Sequence, residues 1–262
     1  MGERQPVALV TGAAKRIGRA IALSLADRGY AIGIHYNGSV EAADAVVAQI
    51  RDGGGAAAAF RANLTDRGSI RTLLPACADV LGPVTCLVNN ASVFREDAIG
   101  ALDDALWDAH MAVHVEAPAL LTEALAHQLP DASTGVVINM IDQRVWRLNP
   151  QFFSYTISKA ALWTATQTMA QALAPRVRVC AIGPGPTLQS VHQASETFVA
   201  EAANVPLQRG PSLEEVTAAI GFILATPSMT GQMIALDGGQ HLAWETPDVA
   251  HASASGSGQT GA

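Results

Sequence analysis

Cysteine is scarce: Cys77, Cys86 and Cys180 are the only three in 262 residues, and no two form a CxxC pair. That excludes a disulfide framework and a cysteine-based metal site, and the thiols read as buried groups in a reducing compartment. Charge is also sparse, with 15% charged residues and a formal net charge of -7. A net-acidic chain is a poor partner for a polyanion, so nucleic-acid binding is disfavoured. No apolar run reaches the length of a membrane span. Met1 to Pro6 is too short and too polar for a signal peptide, and a cytoplasmic protein is expected.

What the chain has in quantity is apolar residue, 49% of the total, enough for one sizeable core. Short apolar runs at Val7–Thr11, Ala31–Tyr36, Ala56–Phe60, Thr85–Val88, Val136–Met140, Arg178–Ile182 and Met233–Leu236 read as strands. Between them, helical periodicity is expected over Arg16–Arg28, Val40–Arg51, Asp66–Leu81, Ala101–His127, Phe152–Leu173 and Ser212–Ala225. Ser39 is a capping candidate for the second helix, and Gly29 stands just past the first. Alternation of this kind gives an α/β fold, a doubly wound parallel sheet in a single domain over residues 1–249. The segment 250–262 contains no apolar residue larger than Ala and is expected to be a disordered tail. Ligands of such sheets bind beyond the carboxyl ends of the strands, so chemistry is sought just after each strand.

The first strand ends in Thr11-Gly12-Ala13-Ala14-Lys15-Arg16-Ile17-Gly18. A Gly turn into a helix lets backbone N–H groups and the positive helix end meet a pyrophosphate. Alone, that loop is as compatible with a sharp turn. The sequence continues with Asn89-Asn90-Ala91-Ser92, Tyr155-x-x-x-Lys159, Pro184-Gly185 and Asp237-Gly238-Gly239. In this order and spacing the motifs resemble those of short-chain dehydrogenase/reductases over about residues 6 to 240. The resemblance implies a three-layer Rossmann fold, a nicotinamide cofactor and a homotetramer.

The family's cofactor contacts carry over to Gly12, Lys15, Arg16, Ile17 and Gly18 in the first loop. Those after the second strand are His35, Tyr36, Asn37 and Ser39; those after the third are Asn63 and Leu64. Asn90, Ala91, Ser92, Tyr155, Lys159, Pro184 and Gly185 complete the set. An acid at the end of the second strand would bind the ribose 2′-OH and select NAD. That strand ends Ile34-His35-Tyr36-Asn37-Gly38-Ser39 with no carboxylate, so NADP(H) is expected. His35, Ser39 and the backbone near Gly38 are candidates to receive the 2′-phosphate, with Lys15 or Arg16 adding charge.

Tyr155 and Lys159 lie four apart on one helix face. A neighbouring ammonium would favour the phenolate and bring Tyr155 toward working pH as a proton donor. The family's third catalytic residue, a Ser after the fifth strand, is replaced here by Asp142. An ionised carboxylate would repel a developing alkoxide, which argues against plain carbonyl reduction. Reduction of a C=N bond instead needs a proton at nitrogen, and Asp142 is suited to supply it, relay it or hold ring N–H donors.

Three departures from the general family coincide: Arg16 in place of Gly, Phe94 after Asn89-Asn90-Ala91-Ser92-Val93, and Asp142. Together they resemble pteridine and dihydromonapterin reductases, in which the Phe stacks on the pterin and the Asp is catalytic. The expected substrate contacts are Arg16, Phe94, Asp142 and Tyr155, on a small pterin-like molecule. A 3-oxoacyl thioester reductase and a catalytically silent NADP(H) sensor remain as alternatives. The family's relay Asn is replaced by His114, readable as a relay group or as a packed helix residue. Its usual Asn on the sixth strand is replaced by Cys180. Residues 187–208 should form a lid, with Trp146, Gln189, Val191 and Phe198 as further candidates for substrate contact.

Overall fold

Strands without a polar face must be covered on both sides, and the chain covers them in order. In a computed structural model, residues 5–189 and 195–244 are described; Val191 and the segment 250–262 lie outside them. Seven parallel strands are arranged β3-β2-β1-β4-β5-β6-β7. They are β1 (Val7–Val10), β2 (Ala31–Tyr36), β3 (Ala57–Arg61), β4 (Val84–Asn89), β5 (Gly135–Met140), β6 (Val177–Pro184) and β7 (Met233–Leu236). On one face pack α1 (Arg16–Asp27), α2 (Val40–Asp52) and α8 (Leu213–Ala225). On the other pack α3 (Arg67–Leu81), α5 (Ala117–Gln128) and α6 (Phe153–Leu173). The chain reverses its winding between β1 and β4, and a crevice opens where those strands end.

One long helix was expected over 101–127, and the structure divides it. Asp103 caps α4 (Asp104–Met111), its Oδ1 accepting the Leu106 N–H at 3.1 Å. A π turn follows at Ala112–Glu116, and only then α5. Pro118 supplies the reason: it has no N–H to give the His114 carbonyl four residues earlier, so the helix widens by a residue there. Asp66, read as the first residue of α3, is its cap instead, accepting the Ser69 N–H at 2.8 Å. Within the stretch expected to form a lid lies a short helix, α7 (Ser195–Ala203), that no periodicity announces.

Under the crevice, a buried polar chain pins the strands to α6. Asn89 Nδ2 donates to Asn139 Oδ1 at 2.8 Å, Asn139 Nδ2 donates to Thr166 Oγ1 at 2.9 Å, and Thr166 Oγ1 donates to the Leu162 carbonyl at 2.8 Å. Asn139 and Thr166 are wholly buried. Truncating the middle member leaves the Asn89 amide without its acceptor and takes one bond from Thr166, which keeps its own to Leu162. Asn139→Ala should cost about 2–4 kcal/mol in urea denaturation, about 1–3 kcal/mol for the orphaned amide and about 1 kcal/mol for the other lost bond. A loss below about 1 kcal/mol would show that the chain carries little of the fold.

Candidate active site

The crevice is a cavity of about 420 Å³ between the ends of β1, β2, β3 and β4. Gly12, Lys15, Arg16, Ile17, Gly18, His35, Asn37, Asn63, Leu64, Asn90, Ala91 and Ser92 all line it, with Thr65, Val93 and Val113. Its floor is a closed loop. A side chain at Gly18 would run into the Gly12 carbonyl oxygen, and Gly12 itself turns at φ 64° against Ala91. Thr11 Oγ1 accepts the N–H groups of Asn90 and Ala91 at 2.9 and 3.0 Å, and Asn90 Nδ2 donates to the Thr11 carbonyl at 2.9 Å. The two strand ends are thus latched edge to edge. Dinucleotide phosphates suit such a cradle of backbone N–H groups at the start of α1.

Not every expected contact is free to meet a ligand. His35 is buried: its Nδ1 accepts the Gly12 N–H at 3.0 Å and its Nε2 lies 3.1 Å from the Ala62 carbonyl. Burial lowers its pKa to about 4, and both nitrogens are engaged. The ring therefore props the loop from beneath, whereas a direct bond to a phosphate was expected of it. Asn63 Oδ1 accepts from Thr65 N–H and Oγ1 at 3.1 and 2.9 Å, which leaves its amide NH₂ for a ligand. Tyr36, Ser39, Pro184 and Gly185 lie outside the residues lining this cavity. Pro184 ends β6, and Gly185 packs so closely on Asp237 that a side chain there would collide with it.

Arg16 adopts a left-handed conformation, φ 55°, where the family's usual Gly would sit without strain. Its Nη2 donates to the Leu188 carbonyl at 3.1 Å, joining the first loop to the segment after β6.

Asp142 lies two residues past the end of β5 and Tyr155 in the first turn of α6. The Tyr155 hydroxyl donates to Asp142 Oδ2 at 3.0 Å, and Asp142 Oδ1 accepts the Arg144 N–H at 2.8 Å. Lys159, only 2% exposed, donates Nζ to the Met140 carbonyl at 2.8 Å. The three residues meet as expected, but their titration differs. Burial, reinforced by the Asp142 charge and hydrogen bond, holds Tyr155 well above its usual 10.0. An ammonium was expected to lower it, but Lys159 is spent on Met140 and the phenol faces a carboxylate. Burial raises Asp142 above the usual carboxylate value despite Arg144 and Tyr155. Burial also lowers Lys159 to about 8, against the pull of Asp142.

Phe94 stands at the mouth, 36% exposed, with its ring stacked on Phe152 at 4.4 Å and 8°. Its edge contact with Tyr155 spans 4.9 Å. Arg144 lies over the Phe152 ring at 5.0 Å, so a cation and two aromatic rings border the site. Phe152 itself is left-handed, φ 54°, and offers α6 no side-chain cap. Buried Asp97 supplies the cap from a distance: its carbonyl accepts the Phe153 N–H at 3.1 Å and its Oδ1 the Ser154 N–H at 2.9 Å. Asp97, Arg144 and Phe152 carry no local sequence signal, because each acts across the chain. Trp146 packs on Trp163 and His241 at the lid side, and Phe198 is half-buried on α7.

A parallel sheet with a crevice at its switch point, a glycine phosphate cradle and a Tyr–Lys pair beside it define a dinucleotide-dependent oxidoreductase. The family model for short chain dehydrogenase matches residues 6–199, and the chain belongs to that family. A solved structure of FolM alternative dihydrofolate reductase 1 from Brucella suis, in complex with NADP, is 53% identical with a TM-score of 0.91. That match covers 93% of this chain and 98% of the other. The Brucella canis protein, also with NADP, is 53% identical at the same TM-score. Among sequence relatives, a 3-oxoacyl-[acyl-carrier-protein] reductase from Synechocystis sp. is 34% identical over 89% of this chain and 96% of its own length.

The buried ammonium gives a testable pH signature in the ligand-free protein. A pKa lowered from 10.5 to about 8 means the folded state carries the charge at a cost of about 3 kcal/mol below pH 8. Between about 8 and 10.5 the unfolded chain keeps a proton that the fold has shed, so this contribution to stability rises with pH. The stability difference between Lys159→Met and wild type should therefore move by about 3 kcal/mol in favour of wild type across that window. Urea denaturation at pH 7, 9 and 10.5 reads it; a pH-independent difference would contradict the lowered pKa.

Proposed function

We propose that this chain is an NADPH-dependent reductase that converts a dihydropterin to a tetrahydropterin. The observation that carries the reading is the hydrogen bond of 3.0 Å between Tyr155 and Asp142. In carbonyl reduction the substrate oxygen gathers negative charge, and a carboxylate beside it is unfavourable. In C=N reduction a hydride adds at carbon and a proton at nitrogen. NADPH supplies the hydride. The buried Tyr155–Asp142 pair holds the proton between two groups whose pKa values both lie above their usual ranges. Lys159 holds α6 against the end of β5 through its bond to the Met140 carbonyl. Phe152 covers one face of Phe94, and a flat heteroaromatic ring would stack on the other, with Arg144 over Phe152 alongside. High identity to the FolM proteins supports the pterin reading; similarity to 3-oxoacyl reductases supports the shared reductase chemistry. The reading includes a homotetramer, on the family resemblance alone, and a cytoplasmic location, on the sequence alone.

The cofactor preference follows from charge. No acid stands between Ile34 and Val40, while Lys15 and Arg16 line the cavity. Fluorescence titration should show NADPH binding at least about tenfold more tightly than NADH, a difference of about 1.4 kcal/mol. Equal affinities would contradict the assignment.

The substrate is tested by following NADPH oxidation with dihydropterins, dihydrofolate, an acetoacetyl thioester and small ketones. Dihydropterins should turn over. Asp142→Ala should then reduce turnover by about 10²–10⁴, the range for a general acid, with NADPH affinity barely changed. Asp142→Ser restores the family's carbonyl-reducing residue and should stay poor on dihydropterins. A wild type inert toward pterins, with Asp142→Ser reducing ketones or the thioester well, would overturn the proposal.

A further inference from the structure

Behind Tyr155, two helical segments carry matched polar residues. His110 and His114 lie four apart on α4 and the π turn, and Ser154 and Ser158 lie four apart on α6. They pair as rungs: His110 Nδ1 is 2.7 Å from Ser154 Oγ, and His114 Nδ1 is 2.8 Å from Ser158 Oγ. All four side chains are buried. The imidazoles stack at 5.5 Å and 16°. Tyr155 stands with its ring nearly perpendicular to both, 5.8 Å from His110 and 5.4 Å from His114.

The hydrogen bonds of His114 fix its tautomer. Its Nε2 accepts the Val93 N–H at 3.1 Å, so the ring proton sits on Nδ1. Nδ1–H then donates to Ser158 Oγ, whose own proton goes to the Tyr155 carbonyl at 2.7 Å. Ser92 Oγ, 3.0 Å from Nε2, adds a second contact on that side. Both nitrogens are engaged, and a proton relay through this ring would need one of them open. Burial lowers the pKa of both histidines, in keeping with neutral rings.

We propose that the two-rung His–Ser ladder positions the Tyr155 ring, and that His114 couples the helix bearing the phenol to the loop bearing Phe94. The inference does not depend on which substrate is reduced. His114 acts as a positioning residue: one nitrogen serves Tyr155 through Ser158, and the other holds Val93 next to Phe94. The two duties should separate, because an Asn amide reaches the place of Nδ1 but not Nε2, and a Gln amide reaches the place of Nε2 but not Nδ1.

His114→Asn and His114→Gln in the full chain, saturated with NADPH, test it. His114→Asn should keep kcat within about threefold of wild type and raise the substrate KM about fivefold or more. His114→Gln should do the opposite, holding KM and lowering kcat about tenfold or more. Equal changes in the two variants, or kcat and KM falling in step with Tm, would overturn the proposal. Assays use both a dihydropterin and an acetoacetyl thioester. Activity on the thioester alone would sink the pterin reading and still expose the crossed pattern. Should the variants not fold, ¹⁵N NMR of the wild type decides, since the ladder requires Nδ1–H at His114, and an Nε2–H or doubly protonated ring excludes it.

Discussion

The bond from Lys159 Nζ to the Met140 carbonyl, 2.8 Å long, ties the active site to the sheet. An ammonium 2% exposed is costly to bury, and it is tolerable only with acceptors close by. Met140 is the last residue of β5, and Asp142 lies two residues beyond it. Lys159 and Tyr155 share one face of α6, a turn apart. One contact between helix and strand end therefore sets the reach from Tyr155 to Asp142. The Asn89–Asn139–Thr166 chain repeats the same tie a layer lower, between the same strand and the same helix. On the proposed function this rigidity has a purpose, because a proton donor displaced by an ångström loses much of its effect.

Buried polar groups recur wherever strand ends must be held in register without a side chain entering the cleft. His35 props the Gly12 turn from below, and Thr11 and Asn90 latch the ends of β1 and β4. Asp97 caps α6 from a loop more than fifty residues earlier in the chain. In each case the polar side chain satisfies backbone groups that a turn has left without a ladder partner. The functional surface is then largely backbone and small residues, which is what a phosphate-bearing ligand requires for close approach.

The strands were legible because fully buried parallel strands leave uninterrupted apolar runs, and all seven expected runs are strands. Motifs at strand ends were legible for the same reason: the topology itself collects them at one edge. What escaped notice depends on distance along the chain or on missing hydrogen bonds. The π turn follows from what Pro118 lacks, and helical periodicity continues smoothly through it. The His–Ser rungs join residues 44 apart, so the spacing of His110 and His114 is suggestive only once the Ser154–Ser158 spacing is set against it. The direction of the Tyr155 shift was misread because YxxxK alone does not show that Lys159 turns to Met140 and Tyr155 to Asp142.

Arg16 shows how a locally unfavourable choice can persist at a cofactor loop. A left-handed residue with a side chain costs about 1–2 kcal/mol relative to one at ease there, and Gly would be at ease. In the structure the guanidinium recovers one exposed hydrogen bond, to the Leu188 carbonyl. An exposed bond of this kind returns about 0.5–1.5 kcal/mol, so the ligand-free loop gains little or nothing from Arg. On the proposed function the return comes from ligand binding, where a planar guanidinium makes charge-assisted bonds to phosphate that Gly cannot. The proposed function thus makes the strain at Arg16 a part of ligand binding, tied to the phosphate-bearing cofactor and not to the stability of the free loop.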